Sequence, residues 1–194
     1  FQDIALRLFR FQAKNNLVYN QYLSFLNCNV DGIQSIEEIP FLPISFFKTK
    51  PIKTGNWQPE VEFSSSGTTG MATSKHLVKD ISFYLRLSEN IFERFYRSCE
   101  NFHFLALLPS YLERKGSSLI AMMNHFIEKS KSPHSGFYLN NHDELKHKLQ
   151  FLKNDEKRVI LWGVSFALLD LAESGEVDLS NCIVIETGGM KGRR

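Results

Sequence analysis

Seven consecutive residues, Ser64-Ser65-Ser66-Gly67-Thr68-Thr69-Gly70, hold five hydroxyls and two glycines, and Lys75 follows in the run Met71-Ala72-Thr73-Ser74-Lys75-His76. In such a loop the backbone N–H groups can turn inward together with hydroxyl donors beside them, which is what a polyphosphate accepts. Lys75 adds a positive charge at the exit. The pattern is not a Walker A loop, which needs glycine directly before the lysine, and no G-x-G-x-x-G fingerprint occurs anywhere in the chain.

Two other stretches carry residues suited to a site. Trp162-Gly163-Val164-Ser165 sets an indole beside a glycine and a hydroxyl, and Glu186-Thr187-Gly188-Gly189-Met190-Lys191-Gly192-Arg193-Arg194 sets a glycine pair before a basic run. Lys191, Arg193 and Arg194 are candidates for phosphate contacts, with an ordinary solvated basic turn as the other reading. The remaining reactive types are less suggestive. Cys28, Cys99 and Cys182 form no C-x-x-C pair and are odd in number, against a disulfide framework or a zinc site and in favour of a reducing, cytoplasmic setting. Cys182 opens an apolar strand, where a small buried thiol is the usual occupant. His76 stands next to Lys75 in a polar segment, either facing substrate or solvated, and the other histidines show no metal-ligand spacing. The basic cluster Lys146, Lys148, Lys153, Lys157 and Arg158 reads as a solvated helix and turn.

The elements that must position these groups alternate. Residues 2–26 form an amphipathic helix or helix pair with Ile4, Leu8, Phe11, Val18, Tyr22 and Phe25 on one face. The run from Ile39 to Lys48 carries Pro40 and Pro43, which forbid a long helix and favour an extended connection anchored by Phe46 and Phe47. From Val61 the chain reads as strand, loop and then a helix over 80–98, with Ile81, Tyr84, Leu85, Phe92 and Phe95 inward. Strands follow at 103–108, 136–139, 158–163 and 182–186. Between them lie a helix around Leu119–Ile127, a helix capped by Asn141 with Leu145, Leu149 and Leu152 inward, and a helix 166–174 capped by Ser165 and ended by Gly175. Strands alternating with helices give an α/β fold: a mainly parallel sheet with helices on both faces, preceded by an N-terminal helical segment, with ligands beyond the carboxyl ends of the strands. The organisation expected is a helical segment and proline-containing connection over 1–50 and an α/β region over 51–194.

Composition agrees with a globular protein that handles small ligands. The chain has 194 residues, 43% hydrophobic, with a net charge of +2 and basic residues dispersed among acidic ones. That offers no footprint for nucleic acid, and no apolar run approaches the roughly 18 residues of an integral membrane span. The opening Phe1-Gln2-Asp3 and the glycine-rich close read as part of a longer enzyme.

Ser65-Ser66-Gly67-Thr68-Thr69-Gly70 with Lys75 resembles the phosphate-binding loop of the adenylate-forming superfamily, which includes acyl-CoA synthetases, phenylacetate-CoA ligases and firefly luciferase. Ile39 to Lys48 and Glu186 to Lys191 are similar to the acyl-protein synthetase (LuxE-like) branch, and the resemblance spans essentially the whole chain. It implies ATP and Mg²⁺ as cofactors and a fatty-acid type of carboxylic acid as substrate. Acyl-AMP and pyrophosphate would form, and the acyl group would pass to a protein thiol or, in the phenylacetate-CoA ligase alternative, to CoA. A noncatalytic nucleotide-binding module is the further alternative. By the same resemblance Ser65, Ser66, Gly67, Thr68, Thr69, Gly70 and Lys75 hold the phosphates. Gly188, Gly189 and Met190 lie at the adenine side, where bare backbone admits the ring. Trp162, Gly163 and Ser165 line the acyl pocket, with Gly163 leaving room beside the indole. The superfamily's aromatic-Gly-x-Thr-Glu segment, ribose-binding aspartate and catalytic lysine have no counterpart in these residues, and the branch's acyl-accepting cysteine falls beyond Arg194, so this stretch alone is expected to be inactive.

Overall fold

The computed structural model describes residues 1–65, 73–108, 116–139 and 141–188. The chain divides after Ile81 into two compact units, whereas the sequence pattern places the boundary at residue 50.

The first unit begins with a helix pair, α1 (Gln2–Asn15) and α2 (Leu17–Phe25). Asn16 separates them: its backbone is extended and its side chain accepts from the Tyr19 N–H, so it ends one helix and caps the next. The buried face is Leu6, Phe9 and Ala13 on α1 with Tyr19 and Leu23 on α2, joined by Ile39. The stripe expected from periodicity is a different one: Ile4, Leu8, Phe11 and Phe25 are 55% to 86% exposed. The break at Asn16 shifts the helical phase between α1 and α2, and within α1 the packing of α2 and Ile39 selects the stripe Leu6, Phe9 and Ala13 over Ile4, Leu8 and Phe11. The proline-containing connection carries one short helix, α3 (Phe46–Thr49). Phe46 packs edge-on to Tyr22 and Phe47 stacks on His76, so both aromatics anchor it.

The unit closes with strands β1 (Val61–Ser64) and β2 (Lys75–Val78), paired antiparallel with Ser64 opposite Lys75. The hydroxyl-rich loop therefore joins two strands of a hairpin rather than a strand and a helix. Strand β2 escapes the sequence pattern because four residues, two of them exposed, carry too little alternation to register.

The second unit runs α4 (Ile81–Tyr96), β3 (Phe102–Leu107), α5 (Ser118–Ser130), β4 (Gly136–Tyr138), α6 (His142–Phe151), β5 (Arg158–Val164), α7 (Ser165–Glu173) and β6 (Cys182–Thr187). Its four strands lie in the order β4-β3-β5-β6, all parallel. Every residue of β3 is buried, which is why that segment reads as continuously apolar rather than alternating. One sheet face carries Phe104 and Trp162, against which Phe126 of α5 packs, with Phe92 of α4 beside them. Gly163 belongs to the opposite face, under Leu168 of α7. Helices thus cover both faces. On α6, Leu145 and Leu149 are buried as expected, with Leu152 just beyond. On α4, Phe92 is buried but Phe95 is 79% exposed, one position off the inner stripe. Among the described residues no helix is long and apolar enough to cross a membrane.

Candidate functional site

In the first unit the residues that close the hydroxyl loop are fixed. The Ser65 N–H donates to the Ser74 carbonyl at 2.9 Å, and the Ser74 N–H donates back to Ser65 Oγ at 2.9 Å. Ser65 therefore locks the neck of the loop through its hydroxyl oxygen while keeping its own O–H to donate. Lys75 leaves the neck as the first residue of β2. Its Nζ lies 2.9 Å from Glu62 Oε1, a diagonal cross-strand pair whose side chains are 58% and 43% exposed. His76 stacks on Phe47 with ring centroids 4.9 Å apart, a packing role that a lone histidine in a polar segment gives no hint of. Ser66, Gly67, Thr68, Thr69 and Gly70 lie outside the described residues.

In the second unit the carboxyl ends of β5 and β6 bring a second group together. Ser165 is the first residue of α7, and its side chain does not cap that helix; its hydroxyl donates to Glu186 Oε1 at 2.5 Å. The sequence sets Glu186 at the head of the stretch similar to the acyl-protein synthetase branch but gives its carboxylate no role of its own. Gly188 follows β6 with φ of 85°, a left-handed conformation that favours glycine. Gly189, Met190, Lys191 and Arg193 lie outside the described residues.

Trp162 and Gly163 do not share a space. Successive strand residues point to opposite faces, so the indole faces α5 while the α-carbon of Gly163 faces α7. A Cβ on Gly163 would stand 2.7 Å from both Cγ and Cδ2 of Leu168. The room that the resemblance gives to an acyl chain at Gly163 is filled by Leu168, and the glycine serves close helix–sheet packing. The Trp162 Nε1 is buried without a hydrogen-bond acceptor among the described residues.

One cluster went unrecognised in the sequence. His103, near the amino end of β3, is almost wholly buried, with Nδ1 2.6 Å from Ser132 Oγ and Nε2 3.1 Å from Asp155 Oδ1, the latter outside hydrogen-bond geometry. Burial chiefly pushes the His103 pKa below its ordinary value, against the opposing pull of Asp155. The Ser132 hydroxyl also accepts from the His134 N–H, while Ser135 Oγ accepts from the Phe104 N–H. These bonds pin the turn after α5 to the start of β3, at the end of the sheet away from Ser165 and Gly188. Ser132 and Asp155 stand 29 and 52 positions from His103 in the chain, separations no spacing motif would reveal.

Cys99 and Cys182 are not poised as nucleophiles. Burial first, then nearby acidic groups, raises the Cys99 thiol to about 12 and the Cys182 thiol to about 11, so both stay protonated at neutral pH. Among the described residues no group of three or more His, Cys, Asp or Glu is placed to hold a metal ion. Set beside family models, curated proteins and solved structures, the chain matches none of them.

Proposed function

We propose that this chain supplies the phosphate-binding part of an ATP-dependent ligase that activates a carboxylic acid, of fatty type, as its acyl-AMP with release of pyrophosphate, the acyl group passing next to a thiol of a protein or of CoA. The observation that carries this reading is the segment from Ser65 to Lys75: a hydroxyl- and glycine-rich loop whose neck is closed by reciprocal bonds between Ser65 and Ser74, with an ammonium at its exit.

The chemistry demands such a segment. A carboxylate is a weak nucleophile and must approach another anion, so the site has to supply donors and positive charge to the phosphates and to departing pyrophosphate. Each charge-assisted hydrogen bond contributes about 1.5–3 kcal/mol, and a few from one loop suffice to position the triphosphate. Lys75 is suited to this despite its carboxylate partner. The pair with Glu62 is exposed, and exposed pairs are worth about 1 kcal/mol or less, so exchanging one carboxylate for several phosphate oxygens costs little. Mg²⁺ fits as an ion brought with the nucleotide, since it keeps phosphate oxygens and waters as ligands and needs no protein cage. It would supply charge neutralisation at the phosphates.

The pairing of Lys75 with Glu62 also gives some support to a second reading, a module that binds nucleotide without turnover. Acid-dependent ATP–pyrophosphate exchange on the full-length protein separates the two, with short, aromatic and long-chain acids screened and Ser66→Ala/Thr68→Ala as control. Exchange that needs a particular acid and collapses in the control supports the ligase. ATP binding by folded protein with no exchange under any acid favours the noncatalytic module.

A further inference from the structure

Ser165 opens α7 directly after the last residue of β5, with no loop between strand and helix. A serine at a helix start ordinarily spends its hydroxyl on that helix, accepting from a first-turn N–H. Here Val164 occupies the cap position with extended backbone and offers no side-chain cap, and the Ser165 hydroxyl donates instead to Glu186 Oε1 of β6 at 2.5 Å. The register explains the reach. Glu186 lies opposite Gly163 on β5, and alternation sets it on the same face as Val184, which borders a cavity with Leu168 and Leu171 of α7. Gly163 presents no side chain to it, so the next side chain along that face of the junction is Ser165. A carboxylate there also stands at the amino end of α7, where the helix dipole favours negative charge.

The bond ties down a part of the sheet that the backbone holds weakly. Among the described residues β6 pairs with β5 only, so its main chain is bonded along one edge, and Thr187 is its last residue. Strand ends held in this way are the first to open. Gly188 then turns the chain with φ of 85°, a conformation that a side chain would strain. Where that turn falls depends on where β6 ends. Ser165 and Glu186 fix this end against α7, at the carboxyl ends of the parallel strands, the side on which such sheets bind ligands.

We propose that Ser165 is a positioning residue for the nucleotide: through Glu186 it holds the end of β6, so that bare backbone at Gly188 is set in advance to receive the base of ATP. The proposal rests on the reading of this chain as part of an ATP-dependent ligase. It gives Ser165 no contact with the acid, in place of the acyl-pocket role that the resemblance implies.

The test is acid-dependent ATP–pyrophosphate exchange on the full-length protein, joined to amide hydrogen exchange over residues 186–188. Ser165→Ala should raise the ATP concentration for half-maximal exchange about fivefold, the worth of one net hydrogen bond in the population of the held turn, and leave that of the acid unchanged. Ser165→Thr, which keeps the hydroxyl, should restore the parent value. Glu186→Ala, at an exposed position, should match Ser165→Ala, and the double variant should be no worse than either, because both remove the same bond. A shift in the acid requirement in place of that for ATP, an unchanged ATP requirement in Ser165→Ala, or additive losses in the double variant would each overturn the proposal. The amides of Thr187 and Gly188, read without ATP, separate this failure from that of the ligase. Equal rates in the parent and Ser165→Ala sink the latch and leave the ligase standing. Faster rates in Ser165→Ala, beside a parent with no pyrophosphate exchange, sink the ligase and the nucleotide role and keep the latch.

Discussion

Gly163→Ala separates two roles for the carboxyl end of β5, the third sheet strand of the second unit in sequence order. If the glycine makes room for an acyl chain, a methyl group there impairs acid binding and leaves folding intact. The geometry argues for the opposite. The added Cβ would meet Leu168 Cγ and Cδ2 at 2.7 Å and Cδ1 at 3.3 Å, and contact with Cγ cannot be relieved by turning the terminal methyls alone. Overpacking of this kind costs about 1–3 kcal/mol. Leu168 also borders a cavity with Leu161, Leu171 and Val184, so it can swing outward at the expense of a strained rotamer, about 0.5–1.5 kcal/mol. The expected loss is therefore in the lower half of the range, about 1–2 kcal/mol. At 4–8 °C per kcal/mol for a unit of this size, the melting temperature should fall by about 4–16 °C. Thermal and urea denaturation followed by circular dichroism would measure it. Leu168→Ala alone destabilises by opening a cavity, yet combined with Gly163→Ala it should cost less than the sum of the two single changes, because the clash is gone. A Gly163→Ala protein within about 0.5 kcal/mol of the parent, or strict additivity with Leu168→Ala, would refute the packing role.

Three further outcomes follow from the same geometry. Phe9→Ala should destabilise the first unit by about 3–5 kcal/mol, as for a buried aromatic, whereas Phe11→Ala, at a position 56% exposed, should stay within about 1 kcal/mol; equal urea midpoints for the two would reverse the assignment of the buried face. Acidification should weaken folding through His103: its pKa is held below 6.5 in the folded protein, so below that pH the unfolded chain takes up a proton that the native state resists, and stability present above pH 6.5 is lost as pH falls. Urea midpoints at a series of pH values should show this slope in the parent and a shallower one in His103→Gln; an unchanged slope would remove His103 as its source. Native Cys99 should resist thiol reagents at pH 8 and react after denaturation, since it is buried and burial holds its thiol protonated; rapid labelling of it in folded protein would contradict that burial.

The sequence by itself determined the repeating units of the second half. Runs such as Phe102–Leu107 and Arg158–Val164, separated by helices with inward leucines at 145, 149 and 152, admit no arrangement but a buried parallel sheet with covering helices, because only such a sheet buries both faces of a strand. The hydroxyl loop and its lysine were equally legible, since composition alone marks them. Facing was not. On α1 two apolar stripes coexist, and only the packing of α2 and Ile39 selects Leu6, Phe9 and Ala13 over Ile4, Leu8 and Phe11. Periodicity gives the angle between side chains on a helix and never the direction of the neighbour. The same limit applies to contacts across distance. That Leu168 fills the space over Gly163, that Ser165 reaches Glu186, and that His103 meets Ser132 and Asp155 depend on which strands lie side by side and on which face each residue falls. Strand order β4-β3-β5-β6 decides this, and it comes from the packing of the whole unit rather than from any local run of residues.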